Sequence, residues 1–426
     1  RDGHEFINAA FAKGAAAALV ARAPEDAPEG APLLVVADTL EALRDLARAA
    51  RLRNFGKRVA VTGSVGKTSV KEMLRTALGA AGRVHAADKS FNNHWGVPLT
   101  LARLPMHADY GVFEIGMNHA GEITPLTRLV EPHVAIVTTV APAHLEFFGA
   151  VEKIAEAKAE IFLGLAKGGT AVLPRDNPHY GLLRRRAEEA GARRFVSFGA
   201  HDEADARLVS YRMDDEGAAV GAMLFGERID FALGAAGRHQ AMNALAVLAA
   251  VHALGAPVGK AARALAGHRA TEGRGARREI FLTNGAAVTL IDESYNANPA
   301  SMAAALALLG AVAPKRGGRR IAVLGDMLEL GPAAPALHAG LAGALIDVKV
   351  DRLYVVGDLM RNLWEKAPAA MRAKSAPAAG ALAAAIANDL RDGDIIMVKG
   401  SNASKVSEIA RALLKAERPA PKAATQ

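Results

Sequence analysis

The run Gly63-Ser64-Val65-Gly66-Lys67-Thr68-Ser69 puts two glycines, an amine and hydroxyls between an apolar stretch, Val59 to Thr62, and a helical pattern, Ser69 to Ala81. Glycines let backbone N–H groups converge on phosphate oxygens, and a helix N-terminus favours an anion. In this setting Lys67 reaches the β and γ phosphates and the Thr68 hydroxyl can ligate Mg²⁺, so Gly63 to Ser69 is the expected ATP cradle. A glycine-rich turn with no ligand is the bland alternative. Val61 stands where the usual P-loop has its first glycine, which makes this loop two residues shorter.

Mg·ATP chemistry needs hard oxygen ligands near the γ phosphate, and a second cation helps where two anions must be brought together. Three segments beyond predicted strands supply candidates: Glu114 in Val112 to His119, His144 and Glu146 in Ala141 to Glu146, and Lys158 in Ala155 to Ile161. Taken singly, a Glu or His is an ordinary surface or capping residue, and Lys158 among glutamates matches a helix-surface ion pair.

Farther on, Ile291-Asp292-Glu293-Ser294-Tyr295-Asn296-Ala297-Asn298-Pro299 follows a predicted strand and precedes a helix. That is a crevice position, where polar side chains can hydrogen-bond a small polar ligand. Asn298-Pro299 also makes a good helix start, with Asn298 as cap, so part of the motif is equally well structural. Asp176-Asn177-Pro178 is expected to be a turn after a strand.

These residues must be positioned by a chain of 426 residues, long enough for about three domains. Predicted strands at Ala17 to Val20 and Leu33 to Val36, with helices at Phe6 to Lys13 and Leu40 to Arg51, suggest the remainder of a small α/β domain over residues 1–54. Residues 55–268 form the predicted ATP-binding domain. Its strands at Val59 to Thr62, Tyr110 to Ile115, Val134 to Thr139 and Thr170 to Leu173 alternate with helical or polar stretches, as in parallel βαβ units. Runs at Arg194 to Phe198, Ala206 to Met213 and Ala218 to Phe225 look antiparallel, before a helix from His239 to Leu254. Gly267 to Arg278 is the expected linker. Residues 269–426 then repeat the strand–helix alternation, with strands at Ala287 to Asp292, Arg320 to Leu324, Arg352 to Val356 and Asp394 to Val398. The fold class is therefore α/β with three domains: a truncated N-terminal one, a P-loop ATPase-type central one with a parallel sheet, and a Rossmann-like C-terminal one.

Composition excludes other classes. A 51% apolar chain is globular, with fraying expected only at ends such as Glu417 to Gln426. The absence of cysteine removes disulfides, thiolate nucleophiles and cysteine-bound metals, and fits a reducing compartment. The longest strongly apolar run, Met302 to Ala313, is too short for a bilayer, so no integral membrane segment is expected. A net charge of +8 invites nucleic acid, yet the basic clusters lack interleaved aromatics to stack bases, so no nucleic-acid partner is expected. The start, Arg1-Asp2-Gly3-His4-Glu5-Phe6, resembles neither an initiator methionine nor a signal peptide, and suggests that the chain begins inside a longer sequence.

The short glycine loop resembles that of Mur ligases and folylpolyglutamate synthases, which are ATP-dependent amide-forming enzymes. Thr62 to Thr68, Asn92-Asn93-His94-Trp95-Gly96-Val97-Pro98-Leu99, Glu114 to Glu122 and the His144 and Lys158 segments together resemble the central domain of the Mur ligase family, in order and spacing. The resemblance implies that Thr68 and Glu114 hold one Mg²⁺, that His144 and a carbamylated Lys158 hold or position a second, and that Lys67, Lys158, His144 and Arg274 are catalytic. It also implies that Asn243, in Gly237 to Leu245, touches adenine, and that Arg274 reaches the γ phosphate. A helix cap for His239 and a solvated arginine for Arg274 remain the alternatives. Asn92 and Asn93 are implied substrate contacts.

The stretch Ile291 to Pro299, with Leu324-Gly325-Asp326-Met327-Leu328-Glu329-Leu330-Gly331 and Val398-Lys399-Gly400-Ser401, resembles the family member that adds a dipeptide. By that resemblance Asp292 and Glu293 contact the nucleotide, and Tyr295, Asn296, Asn298, Asp326, Lys399 and Ser401 the substrate. The partners implied are UDP-N-acetylmuramoyl-tripeptide and D-alanyl-D-alanine, with ATP and two Mg²⁺, in a cytoplasmic monomer. Glu293 replaces a frequent second aspartate, and Asn402 stands where arginine is common. The opening part of the family's first domain, including much of its UDP-sugar site, is absent, so weak binding of the nucleotide sugar is expected. A P-loop ATPase driven by nucleic acid and another amide ligase are the rival readings. A nicotinamide-dependent dehydrogenase is disfavoured by Gly-Lys-Thr in place of Gly-x-Gly-x-x-Gly.

Overall fold

A computed structural model describes residues 2–214 and 217–418. Three sheets organise them. The first pairs β1 (Ala18–Val20) with β2 (Leu33–Val35) in parallel.

The second sheet holds β3 (Lys57–Thr62), β4 (Val84–Ala86), β5 (Tyr110–Glu114), β6 (Val134–Val137), β7 (Thr170–Pro174), β8 (Arg194–Gly199), β9 (Ala206–Met213), β10 (Ala218–Leu224) and β11 (Glu227–Leu233). Their order is β11-β10-β9-β8-β7-β6-β3-β5-β4. β3 pairs in parallel with β5 on one side and β6 on the other, so chain connections leave it in both directions. The crevice beyond its carboxyl end is where open α/β sheets bind ligands. Alternate residues of β3 enter different cores. Val59 and Val61 pack with Val70, Met73 and Leu74 of the helix Lys67–Gly79. Ala60 packs with Phe113, Leu126 and Ile154 on the opposite face. Each Val, Leu or Met fully buried this way contributes roughly 1.5–3 kcal/mol, which holds β3 and its following helix rigid under the glycine loop.

The third sheet, β12 (Ala276–Phe281), β13 (Ala287–Glu293), β14 (Arg320–Gly325), β15 (Arg352–Val356), β16 (Arg372–Ala376) and β17 (Ile395–Lys399), runs β12-β13-β17-β14-β15-β16. Only β12 is antiparallel. β17 lies between β13 and β14, with Lys399 opposite Glu293 on one side and Leu324 on the other. The three motif loops therefore leave one end of the sheet together.

Several expectations need correction. β8 pairs in parallel with β7 and β9; only the β9–β10–β11 hairpins are antiparallel. β4, β11, β12 and β16 were not foreseen, and the end of the expected linker, from Ala276, is strand. Glu417 pairs with Arg278 and the Arg418 N–H donates to Phe281 O, so the expected fraying does not begin there. The rest of that tail, and Arg1, lie outside the described residues. The apolar run from Met302 belongs to the helix Pro299–Ala311, and no helix among the described residues is long and apolar enough to cross a membrane.

Candidate active site

The glycine loop runs from β3 into the helix Lys67–Gly79. Gly63 has φ 149°, and a Cβ there would lie 1.9 Å from Thr138 Oγ1; Gly66 has φ 88°, and a Cβ there would press on Asn243 Oδ1. Both positions need glycine. The Ser64 N–H donates to Thr139 O, and its hydroxyl donates to Ala141 O while accepting from Ala141 N, which pins the loop to the chain beyond β6. Lys67 Nζ donates to Gly63 O at 2.7 Å, curling over the loop's own backbone. Burial lowers its pKa, and nearby Glu114 opposes that shift.

Four oxygen-bearing side chains converge beside the loop. Thr68 Oγ1 donates to Glu114 Oε2 at 2.8 Å, and Asn92 Nδ2 donates to Glu114 Oε1 at 2.8 Å. Ser90 Oγ lies 2.8 Å from Thr68 Oγ1 and accepts from Arg274 Nη2 at 3.2 Å. Arg274 also stacks over the Tyr295 ring, 3.8 Å from its centroid, so it is neither free nor simply solvated. Two hydroxyls and a carboxylate at such separations suit a hard cation. Among the described residues no three His, Cys, Asp or Glu side chains form a ready metal site.

His144 and Lys158 approach from the far side. His144, in a left-handed backbone conformation at φ 58°, places Nδ1 2.5 Å from Glu329 Oε2 of the third sheet's loop. Burial lowers its pKa while Glu329 opposes. Lys158, in the helix Val151–Ala159, is 2% exposed, and its amine makes no hydrogen bond or ion pair among the described residues. The alternative of a helix-surface ion pair does not apply: the side chain is buried, and burial together with the positive charge of Lys67 holds its pKa well below the usual lysine value.

A cleft of about 550 Å³ opens onto the glycine loop, Glu114 and His144. Ser64 to Ser69, Asn92, Glu114 and His144 line it on the central side, with Asn243 at the base of the loop. Arg274, Glu293, Tyr295, Asn296, Asn298 and Lys399 line it from the third sheet. Lys399, 2% exposed, donates to Asn296 O at 2.9 Å and pairs with Glu293 at 3.4 Å, shaping the loop after β13.

Gly63, Asn93, Lys158, Asp292, Asp326 and Ser401 are placed away from the cleft lining. Asp292 accepts from Gly273 N, Ser294 N and Ser294 Oγ and anchors the linker loop. Asn93 accepts from Trp95 N and Gly96 N at a helix start. Asp326 accepts from Met360 N, and Ser401 Oγ accepts from Leu328 N. Gly63 and Lys158 sit behind the lining. His239 makes no cap hydrogen bond; its ring lies against Gly237 and lines the cleft. Asp176-Asn177-Pro178 is the expected turn, with Asn177 donating to Val140 O, and it lines the cleft as well. Ser90 and Phe198 had no sequence signal, since a lone serine or strand-end phenylalanine resembles any other.

Residues 61–251 match the Mur ligase middle domain and residues 276–402 the Mur ligase glutamate ligase domain. A UDP-N-acetylmuramoyl-tripeptide–D-alanyl-D-alanine ligase of Bacillus subtilis is 35% identical over 417 residues, covering 97% of this chain and 88% of the relative. The enzyme of that name from Escherichia coli is 36% identical over 84% of this chain and 76% of its own length. Among solved structures, MurF from Acinetobacter baumannii superposes with a TM-score of 0.84 at 29% identity, covering 97% of this chain and 88% of that one. MurF ligase from Thermotoga maritima in complex with ADP gives 0.81 at 26% identity, over 97% and 91%.

Proposed function

The chain belongs to the Mur ligase family, and on that premise we propose that it joins D-alanyl-D-alanine to the terminal carboxylate of UDP-N-acetylmuramoyl-tripeptide, with conversion of ATP to ADP and phosphate. The product is a peptidoglycan precursor. The observation that carries this reading is the shared cleft: a phosphate cradle from the second sheet faces Tyr295, Asn296, Asn298 and Lys399 from the third, with Arg274 between them.

In this reading the tripeptide carboxylate attacks the γ phosphorus, forming an acyl phosphate and releasing ADP. The dipeptide amine then attacks the acyl carbon and expels phosphate, and its surplus proton leaves with phosphate or solvent. Lys67, the loop N–H groups and Arg274 stabilise charge on the transferring phosphoryl group, an electrostatic role. By the family resemblance Asn243 meets the base, and Asp292 and Glu293 the ribose side of the nucleotide. Tyr295, Asn296, Asn298 and Lys399 hold the dipeptide, with Asn92 beside the phosphoryl end.

Thr68, Glu114 and Ser90 have the donor chemistry for one Mg²⁺. His144 and Lys158 would serve a second if Lys158 carried CO₂ as a carbamate. Its burial without a counter-ion favours the neutral amine, the form that reacts with CO₂. Bound Mg²⁺ would supply charge neutralisation at the phosphates. Consumption of ATP and a UDP-linked precursor supports a cytoplasmic location, and a single chain carrying both walls of the cleft supports a monomer.

The test is Mg²⁺-dependent phosphate release with ATP, UDP-N-acetylmuramoyl-tripeptide and D-alanyl-D-alanine, omitting each in turn. Release that needs all three is expected. Release indifferent to both peptides would overturn the reading.

A further inference from the structure

Asp326, in the stretch Leu324 to Gly331, and Ser401, after β17, do not line the cleft. They brace the loop instead. Asp326 Oδ1 accepts from Met360 N at 2.8 Å, and Asp326 O accepts from Ser401 N at 3.0 Å. Ser401 Oγ accepts from Leu328 N at 3.0 Å, and Met327 N donates to Nε2 of the fully buried His338 at 2.9 Å. A loop pinned at three successive residues holds the next one, Glu329, in a fixed place.

Glu329 points at the central domain. Its backbone is left-handed, φ 62°, as is that of His144, φ 58°. Such a conformation is costly for residues with a Cβ and persists where surrounding structure imposes it. The two residues face each other: Glu329 Oε2 lies 2.5 Å from His144 Nδ1, and Glu146 N donates to Glu329 O at 3.1 Å. A Cβ on Gly331 would lie only 3.3 Å from Glu146 Cα, so the backbones themselves are in contact.

We propose that Glu329 is a positioning residue for the ligation, reaching across the domain boundary to fix the ring of His144. This rests on the proposed function for the reaction that His144 serves. A carboxylate at Nδ1 holds the proton there and leaves the Nε2 lone pair for the cleft, the arrangement in which a carboxylate orients a ligating histidine. The orienting group here belongs to the other domain. His144 is therefore set only while the third domain is docked, which ties the phosphate side of the site to the arrival of the dipeptide wall.

The test uses the full chain with Glu329→Asn, Glu329→Gln and His144→Ala. Asn tolerates the left-handed backbone but is one methylene too short, whereas Gln keeps an acceptor oxygen within reach. Long-range ¹H–¹⁵N spectra of ¹⁵N-histidine-labelled protein, with His144→Ala for assignment, report the tautomer without substrate. The expected result is an Nδ1–H tautomer in the wild type, lost in Glu329→Asn and kept in Glu329→Gln. In phosphate release, Glu329→Asn should lower kcat by about 10- to 100-fold, with KM for ATP little changed, and Glu329→Gln should recover most of it. Adding Glu329→Asn to His144→Ala should cost nothing more. An unchanged tautomer in Glu329→Asn, or an equal further loss on top of His144→Ala, would overturn the proposal. A wild type that releases phosphate without the peptides defeats the proposed function instead, and the spectra still decide the contact.

Discussion

Thr68 Oγ1 donates to Glu114 Oε2 at 2.8 Å, tying the first turn after the glycine loop to the carboxyl end of β5. Glu114 is 4% exposed, its other hydrogen bond comes from the neutral amide of Asn92, and its basic neighbour, Lys67, donates to Gly63 O instead of to the carboxylate. A buried carboxylate with no hydrogen-bonded ion-pair partner is costly, and a cation drawn in beside it offsets that cost. Glu114→Ala is expected to lower kcat by about 10²–10³, the scale of losing one electrostatic group at a transition state, and to raise the Mg²⁺ concentration needed for half-maximal phosphate release. A Mg²⁺ titration identical to wild type would remove Glu114 from the metal site.

Lys158 makes opposite demands on folding and catalysis. Its folded pKa lies well below the unfolded value, so over the window between them the unfolded chain binds the extra proton and stability rises with pH. Near neutrality the buried amine is a burden. Lys158→Met fills similar volume without it, and in CO₂-depleted buffer it should raise the thermal midpoint by a few degrees while abolishing phosphate release. Bicarbonate labelled with ¹³C should give a carbamate resonance in the wild type that is missing in Lys158→Met. A fully active Lys158→Met would exclude any role for a carbamate.

What could be read from the sequence follows from how local each signal is. The glycine loop was legible because its strand, turn and helix are contiguous and only glycine satisfies Gly63 and Gly66. Glu114, His144 and Lys158 stood out only through resemblance to the Mur ligase central domain, and the burial of Lys158 had no signal, because glutamates two residues away on either side match a solvated face equally well. β8 was misassigned as antiparallel because alternation reports which side a residue faces and not which direction the neighbouring strand runs. Ser90 and Glu329 gain their meaning from partners 22 and 185 residues away, which no local pattern encodes.

Asn298 and Tyr295 lie close together in one motif and should respond differently. Asn298 Oδ1 accepts from Ser301 N at 2.9 Å, and Asn298 N donates to Ser301 Oγ at 2.9 Å, a capping box that starts the helix Pro299–Ala311. Asn298→Ala should cost about 0.5–2 kcal/mol in urea unfolding, and Asn298→Asp should keep most of the cap. Tyr295 is 44% exposed at the cleft, so Tyr295→Ala should leave unfolding nearly unchanged while raising KM for D-alanyl-D-alanine. An Asn298→Ala protein of wild-type stability would show that the cap contributes nothing and leave only a substrate role.

Acid should unfold this protein through its buried and half-buried histidines, and His133 offers the clearest test. Its Nδ1 accepts from Arg58 N at 3.0 Å, which requires the neutral ring. Burial, then the positive charges of Arg58 and Lys57, lower its pKa from 6.5 to about 4. As pH falls below 6.5 the unfolded chain takes the proton first, so stability declines through that window and the penalty is complete below about 4. Above the window this group contributes no pH dependence. His85, His268 and His338 are shifted in the same direction, so the decline is shared. His133→Asn keeps an acceptor oxygen for Arg58 N and removes the titration. Urea unfolding measured at several pH values between about 7 and 4 should therefore give a shallower loss of stability in His133→Asn than in the wild type. Identical slopes would mean that the Arg58 contact survives protonation and that the acid sensitivity resides in the other rings.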